Sequence, residues 1–224
     1  TLFHGVLFLF LCRDFELTVP STTWRRGASE ARNRNAGNCH ISGGRRQCQL
    51  ASDGQRGLCS GMSDIESRIR DILEASGLAY KIVDCDPELA DTAVFCAHYG
   101  YAPEHSANAI VVRSKTGEEK YAACLVLATT RLDVNKVVRK KLGARKVSFA
   151  SPEETRRITG MEIGGVTPVC LPAGLPLWVD ARIMALDNVI LGGGNRSTKL
   201  IVDPQIFTAT PETEVVENLA KEIG

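Results

Sequence analysis

The stretch from Leu132 to Pro168 reads LDVNKVVRKKLGARKVSFASPEETRRITGMEIGGVTP. Asp133 can cap a helix whose Val134, Val137, Val138 and Leu142 share one face. A short β-rich run follows the LGA turn. Ser151-Pro152-Glu153-Glu154 is a capping box with Pro at the first helical position, and Gly160 stops the helix it opens. The adjacent Gly164-Gly165 and Pro168 then turn the chain tightly. Helix, strand, capped helix and glycine turn in this order predict a domain that mixes α and β elements.

Upstream, residues 64–76 read as an amphipathic helix with Ile65, Ile69, Ile72 and Leu73 at i, i+4, i+7 and i+8. Ser63-Asp64-Ile65-Glu66 is read as its capping box, and Gly77 as its stop. Tyr80–Asp84 is a strand and residues 89–99 a helix ending at Gly100. Asn108–Ser114 and Lys120–Ala128 are β-rich runs joined by a hairpin signal, Lys115-Thr116-Gly117-Glu118. The second run is almost wholly apolar, so both of its faces are expected to be covered. Downstream, Pro176–Asp180, Asn188–Leu191 and Thr198–Asp203 read as strands and 212–222 as a last helix. The expected fold is α/β with α+β character. It is a mixed, curled sheet flanked by helices, in a single domain.

Composition sets outer bounds. The 224 residues carry a net charge of +1, with 44% hydrophobic and 24% charged residues. That balance excludes a basic nucleic-acid coat and an acidic tail. No apolar run approaches the roughly 20 residues of a spanning helix. Residues 1–61 hold eight Arg and no Lys, whereas all nine Lys follow Met62, the first Met. This segment is rich in Arg, Gly, Ser and Asn, and it is expected to be a disordered leader or an upstream reading-frame extension. The domain is expected to span 62–224. The apolar run at 1–12 lacks the basic region of a signal peptide. Cys85, Cys96, Cys124 and Cys170 lie in apolar segments without C-x-x-C pairing, as expected of reduced thiols in a cytoplasmic protein.

Two glycine clusters are the main candidates for chemistry, Gly164-Gly165 and Gly192-Gly193-Gly194. Adjacent glycines let the backbone approach a ligand and can offer N–H groups to an anion; they serve equally as tight turns. Neither sits in a phosphate-loop or dinucleotide motif, so no nucleotide cofactor is indicated. Asp180 closes a strand, where it can face a cleft or cap the next turn. No G-x-S-x-G, zincin motif or histidine pair with metal spacing is present.

Taken together, these elements resemble the YbaK family, the aminoacyl-tRNA deacylase domain also inserted in some bacterial prolyl-tRNA synthetases. The resemblance runs from Asp91-Thr92 through the Leu132–Pro168 stretch and Asp180 to GGGNRSTKL, and covers about residues 64–210. It implies a free-standing trans-editing hydrolase of mischarged tRNA that needs no metal or cofactor. It also implies aminoacyl-tRNA as partner, with a synthetase in the same context, and no membrane. It assigns catalysis to Gly164, Gly165 and Asn108, and substrate binding to Thr92, Pro168, Asp180, Gly193, Gly194 and Arg196. The family usually carries a lysine at the strand position that Asn108 occupies, and Asn lacks its charge. Arg113, five residues along the strand, points to the opposite face. Arg139, Lys140, Lys141, Arg145 and Lys146 form either a local tRNA patch or a solvated face. A non-catalytic module that binds aminoacyl-tRNA ends or a protein partner is the alternative function.

Overall fold

In the computed structural model, residues 60–223 are described. The expectations for the segment before them lie outside the described residues. Helix α1 spans Ser60–Ser76, so Ser63–Glu66 sits inside the helix and does not open it. Its buried Ile65, Ile69 and Leu73 confirm the apolar stripe, while Ile72 stays exposed. After β1 (Tyr80–Asp84) comes a single 3-10 turn at Pro87–Leu89, and α2 begins only at Thr92 and ends at Tyr99. Pro87 is tolerated at the first position of that turn because its missing N–H has no partner there.

Strands β2 (Ala107–Ser114) and β3 (Tyr121–Leu127) form the expected antiparallel hairpin. β3 is central and both its faces are covered. Ala123, Leu125 and Leu127 enter the core beneath α1, and Ala122, Cys124 and Val126 enter a second core with Trp178 and Leu219. Each fully buried Leu or Val of this kind contributes about 1.5–3 kcal/mol of transfer free energy. β4 (Thr130–Leu132) leads into one wide turn at Val134–Val138, where Val138 N–H donates to the Asp133 carbonyl five residues back. Asp133 caps the turn by accepting from Lys136 N–H at 3.1 Å. The short α3 (Arg139–Leu142) ends at Gly143 in the left-handed conformation. After β5 (Val147–Phe149), the capping box at Ser151 is present and α4 runs Pro152–Thr159.

The remaining elements are β6 (Leu177–Asp180), β7 (Val189–Gly192), β8 (Thr198–Val202), α5 (Ile206–Ala209), β9 (Thr213–Val216) and β10 (Ala220–Glu222). The expected last helix over 212–222 is therefore two strands. The β-branched Thr213, Val215 and Val216 favour extension. β9 pairs in parallel with β6, and β10 pairs antiparallel with β4. Non-glycine residues Glu212 and Asn218 at positive φ turn the chain before and after β9. The mixed sheet has the order β5-β2-β3-β6-β9, and a second, antiparallel sheet has the order β1-β8-β7. A bridge between Ser106 and Ile190 joins the start of β2 to β7. Helices and turns flank this curled assembly.

Candidate functional site

Where the two sheets meet, a cleft of about 700 Å³ opens between the start of α2, the start of β2, the end of β7 and the glycine turn at Gly164. Asp91 precedes α2 without capping it through its side chain. Asp91, Thr92 and Ala93, at the start of the helix, line the cleft, and the Asp91 carboxylate meets Arg196 at 3.4 Å. Thr92 donates its hydroxyl to Asn108 Oδ1 at 2.6 Å. That bond orients the amide, and the Asn108 NH2 meets no protein acceptor among the described residues. Phe95, Ala97 and Ile110 give the walls an apolar surface. Thr92, Asn108 and Gly164 thus line one cleft.

The glycine clusters converge through backbone contact. Gly194 N–H donates to the Gly165 carbonyl at 2.6 Å. A Cβ on Gly165 would run into the Asn195 backbone, and one on Gly192 into the Gly165 and Val166 carbonyls. Gly193 lies against Thr198, and Gly194, at φ +91°, against Ile65 and Ile69 of α1. Asn195 ties the loop down by donating to Glu66 and accepting from Ser197 N–H at 2.7 Å. Three of the N–H groups expected to serve a ligand, those of Gly165, Gly193 and Gly194, are spent internally. Gly165 donates to Glu162 at 2.9 Å and Gly193 to Thr198 at 3.1 Å. Gly164 and Gly192 line the cleft, Gly165 and Gly192 leave room for the two loops to touch, and Gly193 and Gly194 lie against Thr198 and α1.

Lys199 is a cleft residue that sequence reasoning missed. β8 is the central strand of its sheet, and its alternation sends Leu200 and Val202 into the main core. Lys199 and Ile201 face the other way, toward α2. Lys199 is only 5% exposed and lines the cleft. Its ammonium donates to the Ala90 carbonyl at 2.6 Å and the Gly164 carbonyl at 3.2 Å, with the Phe95 ring centroid at 5.5 Å. Burial pulls its pKa below the ordinary lysine value, partly offset by the thiol of Cys85. The sequence signal was a lone lysine inside the apolar run TKLIV.

Three expected residues lie elsewhere. Asp180 is 1% exposed and does not line the cleft. Its carboxylate caps the following turn at Arg182 N–H, pairs twice with the Arg182 guanidinium at 2.8 and 2.9 Å, and accepts from Ala220 N–H at 2.9 Å. Burial pushes its pKa up, but these hydrogen bonds prevail and hold it below the ordinary carboxylate range. Pro168 is buried in the turn after the glycines. Arg196 reaches across the outside of the glycine turn to the Pro87 carbonyl at 2.9 Å and to Ile163 O and Asp91 at 3.4 Å. Arg113 pairs with Glu154, away from Asn108. Among the described residues no His, Cys, Asp and Glu cluster suits a metal, and no helix is long and apolar enough to cross a membrane.

The fold has counterparts among solved structures. One is a candidate trans-editing enzyme for prolyl tRNA synthetase, with 22% identity and a TM-score of 0.60 over 75% of this chain and 100% of that one. Another is the hypothetical protein APE2540, with 23% identity and a TM-score of 0.60 over 69% of this chain and 99% of that one. At these identities the likeness speaks for the fold alone. The family described as the aminoacyl-tRNA editing domain matches residues 86–209, a span that includes α2, the hairpin, both glycine loops and Lys199. With more than half its length inside that match, the chain belongs to the aminoacyl-tRNA editing domain family, the YbaK family.

Proposed function

We propose that the protein is a free-standing aminoacyl-tRNA deacylase, which cleaves the ester of mischarged tRNA. The observation that carries this reading is the cleft itself. Its volume of about 700 Å³ suits an aminoacyl group with its terminal ribose, and apolar walls surround a few convergent polar groups. Asp91 offers a carboxylate to the substrate ammonium, and the Asn108 amide, held by Thr92, offers donors to ester or ribose oxygens. Water supplies the nucleophile, and the ribose hydroxyl beside the ester helps to orient it. No metal or cofactor enters this chemistry.

A second reading, a module that binds aminoacyl-tRNA ends without cleaving them, draws on one observation. The N–H groups of Gly165, Gly193 and Gly194 are already bonded within the protein. Deacylation of a panel of mischarged tRNAs by the purified full-length chain decides between them. Hydrolysis of at least one charged tRNA above the spontaneous rate is expected. Binding of charged tRNA without acceleration for any member of the panel would leave the binding module.

A further inference from the structure

Resting on the deacylase reading, we propose that Lys199 is a catalytic residue whose ammonium holds the ester carbonyl oxygen and stabilises the oxyanion formed there. Three features of its placement lead to this. No carboxylate pairs with it within 4 Å among the described residues, although burying an unpaired ammonium costs several kcal/mol. Its two protein acceptors lie on different walls of the cleft, Ala90 before α2 and Gly164 in the glycine turn. An ammonium has three protons, and those two carbonyls use two of them. The third has no protein acceptor among the described residues, and the Phe95 ring occupies another side of the group.

A strut between two carbonyls needs only neutral donors. A charge kept there becomes useful when negative charge arrives. Attack of water on the ester carbon sends the carbonyl electron pair to its oxygen, beside the ammonium. Collapse reforms the carbonyl and breaks the bond from carbon to the ribose oxygen. The water proton passes to that oxygen, leaving a free amino acid and a tRNA hydroxyl. Lys199 stays protonated throughout and transfers nothing. The backbone donors of Gly165, Gly193 and Gly194 are spent, so the charge-assisted donor of the cleft is this side chain.

The test uses the full-length protein, its best charged tRNA, and a hydrolysis-resistant aminoacyl-adenosine amide as binding probe. Lys199→Met should lower kcat about 100- to 1,000-fold, the scale of one lost oxyanion donor. KM and the Kd of the amide should change by no more than about 10-fold, well short of the loss in kcat, because the contact to a neutral carbonyl is weaker than that to the oxyanion. Lys199→Arg should recover at least about 10-fold of the loss. The parent's kcat should fall as pH rises through the depressed lysine pKa. That limb should be absent in Lys199→Met and persist in Cys85→Ser and Cys96→Ser. The other charged groups facing the ammonium are Asp91, ahead of α2, and Arg196, on the glycine loop. If Lys199→Met fails to fold, Lys199→Gln decides, since a neutral donor can still bridge the two carbonyls. A folded Met or Gln variant within about 3-fold of the parent kcat overturns the proposal while the deacylase reading stands. A parent inactive on every charged tRNA overturns that reading, and the proposal with it.

Discussion

Gly194 gives its backbone N–H to the carbonyl of Gly165 at 2.6 Å, so two loops about thirty residues apart in sequence meet backbone to backbone. No side chain fits at Gly165, where a Cβ would strike the Asn195 main chain. Backbone cannot yield as a flexible side chain can. Gly165→Val should therefore lower stability by about 3 kcal/mol or more, at or beyond the upper end for overpacking. The denaturant midpoint should drop with little change in slope. A Gly165→Val protein as stable as the parent, having lost only activity, would show that the residue serves the ligand and not the loop contact.

Asp180 gives a second stability prediction. Its carboxylate is buried, and it holds both Arg182 and the Ala220 N–H at the start of β10. Asp180→Ala should cost about 1.5–3 kcal/mol, the scale of losing hydrogen bonds to a charged group. The kcat of the folded fraction should be unchanged, because the side chain is not in the cleft. Its folded pKa is depressed, as is that of Asp133, which Lys221 holds down by a hydrogen bond at 2.7 Å. The stability from both is complete above the unfolded carboxylate pKa of about 3.9 and is lost as pH falls through the folded values. Acid titration of the unfolding free energy should show this loss below about pH 4 in the parent and a smaller one in Asp180→Ala.

Local rules read much of this fold directly. The capping box at Ser151, the Gly143 and Gly160 stops, the β2–β3 hairpin and the doubly covered β3 depend on neighbours in sequence. The C-terminal strands do not. Residues 212–222 have a composition compatible with a helix, and they become β9 and β10 because β6 and β4 offer edges to pair with. The site divides in the same way. Glycines at 164–165 and 192–194 announce a close approach, but which of them faces the cleft depends on how the loops dock. Asp180, expected at the site, lies outside the cleft, and Lys199, for which no role was expected, lines it, for a topological reason. Asp180 ends β6 beside β10, while Lys199 sits on the central strand of the other sheet, facing α2.

The hydrogen bond from Thr92 to Asn108 can be measured as a coupling. Asn108→Ala should reduce kcat/KM about 10-fold, or about 1.4 kcal/mol, the scale of one neutral hydrogen bond. Thr92→Val should cost somewhat less, because the amide remains but loses its orientation. The double variant should be little worse than Asn108→Ala alone, giving a coupling energy of about 1 kcal/mol. Additive losses would mean that Thr92 meets the substrate independently. A loss beyond about 1,000-fold in Asn108→Ala would make the amide an essential catalytic group, not an orienting one.

Arg196 is the residue whose position most invites a phosphate, and its bonds argue against that use. Its guanidinium donates to the carbonyls of Pro87 and Ile163 and to Asp91, clamping the turn before α2 onto the glycine turn. A guanidinium engaged on three groups has little left for a tRNA phosphate unless the clamp opens. Arg196→Ala should therefore leave the slope of log Kd against log salt for charged tRNA unchanged, whereas loss of one phosphate contact would reduce it by about 0.7–0.9. Stability should fall by about 1–2 kcal/mol, the net worth of a partly exposed set of charge-assisted bonds. That corresponds to a Tm lower by about 2–8 °C for a domain of this size. Amide hydrogen exchange should quicken at Ala90 to Thr92 and at Gly164, the two ends the clamp joins. A flattened salt slope with unchanged Tm and exchange would instead assign Arg196 to the tRNA backbone.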